Sequence, residues 1–476
     1  MLNEHFSEVK EVLNKYHVND SLWNFSSKYY DAYVHKICGD YLYEGSAAYK
    51  NSRFSWIKNF FLHSLFIILG AIVSKLKSLW ILKPQGDVNQ KARVLACPFC
   101  WRYVWFKRLP EMIHEPIRII YYPLFHYDYY KKNLDAYDRK LATPEFYQFA
   151  FCDIIYSFYL IIRYYNRLRH CAKELDDIFG IYKGNFSRIF LFPFLYGGFI
   201  KRFIEKNRFG SERKVWLFDY DYDYKYIIFN NMIHRLRKDD VTIQIQHGSF
   251  VTDEPGFCNP VCDYSMCCSP REKKEIERNN AFRSNIRVYG APLQTFDDYQ
   301  EIANVEKKWD ILFLLTACDG LDFETMKTIL QFMNNYSYKM KVRYRPTSQI
   351  EDARLMHSFV EGMMISSGTS LFDDVLMSKV IICFSEDALY MAIRNNIPTI
   401  YVRDIDVDKY YDMTDKSEFF YIVNANVFQS IDIDRMLAHY DECNYNNDAF
   451  IVNNFGYVKL GDVSNNINMH ISEILG

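Results

Sequence analysis

The stretch IQIQHGSF, Ile243–Phe250, alternates Ile243 and Ile245 with Gln244 and Gln246 and then breaks at His247-Gly248. An imidazole titrates near neutral pH, so it can take a proton from a hydroxyl or hydrogen-bond a departing phosphate. Gly248 lets backbone approach a ligand closely. In KMKVRYRP, Arg343 and Arg345 offer forks of donors that match phosphate oxygens. Ser385-Glu386-Asp387, after the apolar KVIICF, opens a helical stretch whose free N–H groups and dipole favour an anion. Gly290-Ala291-Pro292 ends NIRVYGAP, and Asp219 begins DYDYDYKY after the apolar KVWLF. Carboxylates at a strand end can bind a divalent cation that neutralises a leaving diphosphate.

These motifs need elements that bring them to one place. RVLAC, IRIIYY, RIFLF, KVWLF, VTIQIQ, DYSMCC and NIRVYG are short apolar or alternating runs separated by helical stretches. Such alternation predicts an α/β domain with a largely parallel sheet. The polar stretch Thr295–Trp309 interrupts the pattern, which restarts at WDILFLL and runs to the end as a second α/β unit. In open α/β sheets ligands bind beyond the carboxyl ends of the strands, so the motifs belong to two such edges facing across a cleft. The expected division is 1–90, a helical extension; 91–298, an N-terminal Rossmann-like domain; and 299–476, a C-terminal one.

At 476 residues, 49% hydrophobic and 18% aromatic, the chain can fill more than one core. A net charge of −2 excludes the overall footprint of a nucleic-acid binder. Twelve scattered cysteines and an acid-bearing N-terminus without an apolar signal region fit a reducing, cytoplasmic protein. Phe60–Val73 is a compact apolar run, short of the ~20 residues that span a bilayer. From Lys50 to Pro110 the cations face a single acid, Asp87, and Trp56 and Trp80 flank the run. Two readings stand for 56–82: a buried core helix, or an interfacial helix on an anionic membrane. The second aromatic run, Phe146–Tyr165, carries Asp153 and Arg163 and reads as core.

Other constellations are weaker. CPFC, Cys97–Cys100, has the local context of a redox pair but lacks the neighbouring elements of that fold, so two semi-buried thiols are expected. Cys258, Cys262, Cys267 and Cys268 with His247 make no paired zinc knuckle, and a strand would turn alternate side chains to opposite faces. The dinucleotide fingerprint, the Walker P-loop and the nucleophile elbow are absent.

Taken in order, the motifs resemble the two-domain GT-B glycosyltransferases of bacterial surface polysaccharides: capsule, lipopolysaccharide and teichoic-acid polymer transferases. Gln246-His247-Gly248, Asp263-Tyr264, Val288 to Pro292, Arg343 to Pro346, and Ser385 through Ile397-Pro398-Thr399-Ile400 carry the resemblance. It covers Lys214 to the end, where GYVKLGDVSNNINMHISEIL resembles a last helix that crosses back to the N-terminal domain. The sequence departs from the pattern at Arg345, which stands for His, at Glu386 and Asp387, which stand for Ser and Thr, and at Met391, which stands for a helix Glu.

The resemblance implies metal-independent transfer from a nucleotide-activated sugar to a growing glycan or lipid-linked acceptor, without a cofactor. His247 and Asp219 would be catalytic, and Gln246, Gly248 and Ser249 would lie on the acceptor side. Arg343, Arg345, Ser385, Glu386, Asp387, Gly290 and Pro292 would bind the donor. The enzyme would be cytoplasmic or peripheral on the inner face of the membrane. Three alternatives remain: an enzyme like the non-hydrolysing nucleotide-sugar epimerases, a metal-dependent transferase using the DYDYDY carboxylates, and an inactive membrane-bound scaffold.

Overall fold

A computed structural model describes residues 2–19, 24–43, 91–97, 106, 108–121, 142–144, 151–180, 189–190, 200–201, 204–205, 209–219, 224–246, 259–293, 305–315, 323–344, 364–365, 369–384, 386–403 and 405–476. Six of the apolar runs of the first half form strands β1 (Val94–Cys97), β2 (Ile117–Tyr121), β4 (Val215–Phe218), β5 (Val241–Ile245), β6 (Tyr264–Cys267) and β7 (Asn285–Val288), while β3 (Ala142–Pro144) comes from outside them and the described residues 189–190 of RIFLF are helical rather than a strand. They make one seven-stranded sheet in the order β3-β2-β1-β4-β5-β6-β7, and every pairing is parallel. The second half supplies β8 (Trp309–Leu315), β9 (Met340–Tyr344), β10 (Met364–Ile365), β11 (Ser378–Cys383), β12 (Thr399–Val402) and β13 (Phe420–Val423). These form a six-stranded sheet, β10-β9-β8-β11-β12-β13, again parallel throughout. The molecule is therefore α/β with two Rossmann-like sheets.

Parallel strands buried on both faces explain why VWLF reads as an unbroken apolar run and why Thr242 and Gln244 of the alternating VTIQI are buried as well. Alternate side chains then serve different cores. On the first sheet Leu95, Cys97, Trp216 and Phe218 face a cluster covered by helices α1 (Leu2–Lys15), α2 (Ser27–Tyr43), α3 (Phe151–Ile178) and α4 (Tyr224–Leu236). The N-terminal helices are thus built into that core: Val9, Leu13, Tyr33 and Ile37 are fully buried. Val94, Val215, Leu217 and Ile243 face the other way, in a cluster shared with Leu312, Ile381 and Tyr401 of the second sheet. The outer face of the second sheet, Ile311, Phe313, Val380 and Ile400, packs on helix α6 (Phe323–Met333), α5 being Pro270–Asn279.

Four more helices matter to the site: α7 (Leu371–Leu376), α8 (Glu386–Arg394), α9 (Ala449–Phe455) and α10 (Leu460–Leu475). The last lies on the first domain. Ser464 Oγ and Asn468 Nδ2 donate to the Met112 carbonyl, and the His114 N–H donates to Asn468 Oδ1 at 2.7 Å. His470 Nε2 lies 3.1 Å from the Val288 carbonyl, and Val463, Ile467 and Ile471 are buried beneath.

The aromatic run expected in the core departs in part from that expectation. In α3, Leu168, Cys171 and Leu175 are buried, whereas Ile155, Tyr159 and Ile162 are 67%, 52% and 70% exposed. Leu160, Tyr164 and Tyr165 are partly buried against the same core, and further along Glu174 binds Lys15 and Tyr16. The 56–82 segment lies outside the described residues, and among those described no helix is long and apolar enough to cross a membrane.

A buried carboxylate secures the amino edge of the first sheet. Asp240 accepts from Trp216 Nε1 at 2.9 Å, from the Lys214 N–H at 3.1 Å and from the Arg237 guanidinium. Asp240→Ala should strand that cation and those donors, lowering unfolding free energy by about 3–5 kcal/mol, read as a shift in the urea midpoint. A second prediction concerns acid. His35 of α2 is buried edge-on to Phe282, and burial lowers its imidazole to about 4. With the folded value below the unfolded 6.5, its contribution is complete above pH 6.5 and is lost as pH falls towards 4. Asp176, raised by burial to about 6, acts in the opposite sense over the same range. The stability lost between pH 7 and pH 4 should accordingly be smaller in His35→Leu than in the parent, by about 3 kcal/mol, in paired denaturant titrations.

Candidate functional site

Each sheet reverses its winding once. In the first, the chain steps from β1 outward to β3 and then returns to place β4 on the other side of β1; in the second, β8 and β11 have the same relation. Loops leaving the carboxyl ends of such a strand pair diverge and open a crevice, the usual ligand position in open α/β sheets. Registers Cys97↔Phe218 and Phe218↔Gln244 bring Asp219, just past β4, and Gln246, just past β5, to one edge. On the second sheet, Leu314 is level with both Cys383 and Arg343, so Arg343, Phe384 and the start of α8 share the corresponding edge.

The first edge is tied together by a buried knot around Gln246. Its side-chain amide donates to Glu272 Oε1 at 3.1 Å, and its backbone carbonyl accepts from the Tyr289 hydroxyl. Glu272 Oε2 accepts from the N–H groups of Cys268 and Ser269 at 3.0 and 3.1 Å, while Ser269 Oγ accepts from the Glu272 N–H. This reciprocal pair is a capping box that starts α5. It also sets a carboxylate against the strand end that precedes His247. Burial pushes the Tyr289 phenol well above its ordinary value, so the hydroxyl stays a donor. Three motifs separated in sequence, at Gln246, Ser269–Glu272 and Tyr289–Gly290, become one structure.

Glycines let the end of the chain close on that structure. Gly290 has φ +119°, and a Cβ there would lie 2.7 Å from the Tyr457 carbonyl and 2.8 Å from Val463 Cγ2. Gly456, at φ +82°, lies against the Cys268 carbonyl, with Gly290 Cα also near. The Ala291 N–H donates to the Tyr457 carbonyl at 2.7 Å, and Asn466 reaches the Tyr289 carbonyl. From the same side, Arg271 stacks on the Tyr411 ring, 4.9 Å from its centroid, and donates to the Asn454 carbonyl. Gly290 thus has a packing role at this junction, next to Pro292.

Asp219 is fully buried and accepts from the Tyr226 hydroxyl at 3.0 Å. Its neighbour Tyr224 donates to Asp40 of α2, which also holds Lys36, so the N-terminal helices anchor the chain beside this strand end. Arg343 is engaged within its own domain: Nη1 donates to Asp374 Oδ2 at 2.8 Å and to the Thr369 carbonyl at 2.9 Å. Lys341, two residues back on the same strand face, binds the other oxygen of that fully buried carboxylate at 2.6 Å. His247, Gly248, Ser249, Arg345 and Ser385 lie outside the described residues, as do the side chains of Glu386 and Asp387, whose backbone begins α8.

Sequence reasoning missed Glu272, Tyr289, Gly456 and Asp374. The S-x-x-E spacing of Ser269 and Glu272 was a legible signal, since it is a capping-box pattern. The cysteines behave as core residues: Cys267 and Cys268 sit in different apolar clusters, and burial pushes the Cys267 thiol well up. Cys97 is buried at the end of β1, whereas Cys100 and Cys258 lie outside the described residues.

No family model matches the chain, and no curated protein sequence matches it. Similar solved structures include a putative UDP-N-acetylglucosamine 2-epimerase from Listeria monocytogenes, with 9% identity over 80% of this chain and 96% of that one and a TM-score of 0.47. The wall teichoic acid polymerase TagF with CDPG is 12% identical over 88% of this chain and 95% of that one, with a TM-score of 0.41. The pneumococcal O-GlcNAc transferase GtfA, in complex with UDP and GlcNAc, is 9% identical over 59% of this chain, with a TM-score of 0.39. The match spans only 60% of the GtfA chain. These likenesses carry no argument about chemistry, which rests on this chain's own residues.

Proposed function

We propose that the protein is a glycosyltransferase that moves a sugar from a nucleotide-activated donor to a glycan or lipid-linked acceptor of a bacterial surface polysaccharide. The observation that carries this reading is the knot at the end of β5. Glu272 holds the side-chain amide of Gln246 and Tyr289 its backbone carbonyl immediately before His247, beside the winding reversal of a Rossmann-like sheet. A strand end held this rigidly suits a residue that must meet a substrate in one orientation.

In this proposal His247 takes the proton from the attacking acceptor hydroxyl, and Gln246, Gly248 and Ser249 line the acceptor side. Asp219, at the neighbouring strand end, would orient that imidazole or the acceptor. The second sheet would hold the nucleotide: the start of α8, with Ser385, Glu386 and Asp387, would meet the diphosphate and ribose through backbone N–H groups and side chains. Arg343 is already paired with Asp374 and with the Thr369 carbonyl, so the phosphate charge is assigned to Arg345. Gly290 and Pro292 would shape the floor between the two domains. Transfer would need no metal.

The test is transfer of labelled sugar from UDP-, GDP-, CDP- and CMP-linked donors to acceptor glycans. His247→Ala should lower turnover by ~10²–10⁴ with donor affinity nearly unchanged, whereas Arg345→Ala should first raise the KM for donor. Near-normal turnover in His247→Gln, which can hydrogen-bond but cannot take a proton, would remove the base from the mechanism. An isomerised nucleotide sugar formed without acceptor would overturn the transferase reading in favour of an epimerase.

A further inference from the structure

Helix α3 runs for 28 residues, and its described side chains are buried on one side and exposed on the other. Among its described side chains, Leu168, Cys171, Ala172 and Leu175 are buried against the N-terminal helices, with Leu160 partly buried on the same side. On the opposite side of the helix, at i, i+4 and i+7, stand Ile155, Tyr159 and Ile162, with exposures of 67%, 52% and 70%, and Tyr156 lies beside them at 37%. Large apolar side chains gathered on one outward stripe mark an interaction surface rather than scattered surface residues.

Charge indicates the kind of partner. Between Asp153 and Glu174 the helix has no acid, while Arg163, Arg167, Arg169 and Lys173 are exposed. The Arg163 guanidinium sits 6.0 Å from the Tyr159 ring centroid and 5.4 Å from that of Tyr164, so the cation borders the apolar stripe directly. An exposed apolar stripe with tyrosines within it and cations along its border matches a helix lying in a membrane surface, with acyl chains beneath it, anionic headgroups beside it and aromatic rings at the boundary they prefer. A second copy of the same stripe would bring Arg163 and its neighbours against like charge. We propose that the first half of α3 is an interfacial helix that docks the protein on an anionic lipid surface, Ile155, Tyr159 and Ile162 entering the acyl boundary and Arg163 pairing with headgroup phosphates. The inference is independent of which group the site transfers, and it places a docking element in a helix of the acceptor-side domain distinct from 56–82.

Flotation of the full chain with vesicles tests it. The protein should float with phosphatidylglycerol–phosphatidylcholine vesicles and not with pure phosphatidylcholine, and its binding should fall with added salt. Combined Ile155→Ser, Tyr159→Ser and Ile162→Ser should reduce the bound fraction at least tenfold with melting temperature and circular dichroism unchanged. Arg163→Glu should weaken binding and flatten its salt dependence. The proposal is overturned if the parent does not float or if the triple variant floats as the parent does. A sharply lowered melting temperature in the triple variant would mean the stripe is core, and Ile162→Ser alone would then repeat the comparison in a folded protein. A parent dimer that dissociates in the triple variant while vesicle binding persists would assign the stripe to a second copy instead.

Discussion

The two halves of this chain meet backbone to backbone at two glycines. At Gly456 a Cβ would fall 1.9 Å from the Cys268 carbonyl, and at Gly290 the Tyr457 carbonyl occupies the space that a side chain would need. The site depends on this closeness. Because no side chain separates the segment after α9 from the ends of β6 and β7, α10 can lie across the first sheet and its apolar face can join the inner core. That inner core joins Val94 and Leu217 through Ile467 and Ile471 to Leu312 and Ile381 in one apolar cluster. A methyl group at either glycine would have to move backbone, which is costly where both partners are already hydrogen-bonded.

Inside each half, a carboxylate removed from water is matched by several donors. Asp240 collects a guanidinium, an indole and an amide at the amino edge of the first sheet; Asp374 collects Lys341, Arg343 and Thr369 in the second. Glu272 does the same at the functional edge with neutral partners and Arg271. Burying a carboxylate is expensive unless its lone pairs are filled, so each of these sites permits one arrangement of the surrounding strands and excludes its neighbours. Rigidity at the strand end before His247 thus comes from the same electrostatic constraint that stabilises the distant amino edge.

Much of this architecture was legible in the sequence because parallel strands buried on both faces leave apolar runs that turn residues punctuate. KVWLF and KVIICF announced β4 and β11, and the gap at Thr295–Trp309 marked where one sheet stops and the other starts. Sequence reasoning erred in part at α3, where a run rich in Phe, Tyr and Ile was assigned to the core: Leu160, Tyr164 and Tyr165 pack on it, but Ile155, Tyr159 and Ile162 face away. Hydrophobicity records only that a residue avoids water, and Ile155 or Tyr159 carries no sign of whether its cover is protein or another apolar phase. The partners of Arg343 were also illegible. Its resemblance to a phosphate ligand is real, but Asp374 stands 31 positions away and becomes a neighbour only once β9 and α7 pack. Contacts as long-range as Gln246 with Glu272, or Gly290 with Tyr457, leave no periodic trace.

The placement of α10 has a consequence for how the protein is made. His470 meets the Val288 carbonyl across 182 positions of sequence, so the first sheet cannot be covered on its inner face until nearly the whole of the second has been translated. At roughly 5–20 residues per second, the nascent first domain waits on the order of ten to forty seconds with Val94, Leu217 and Ile243 unsealed. During that interval an exposed apolar sheet face is a natural client for chaperones, and a ribosome stalled between the two sheets would release a product whose first domain is complete in sequence yet open on one side.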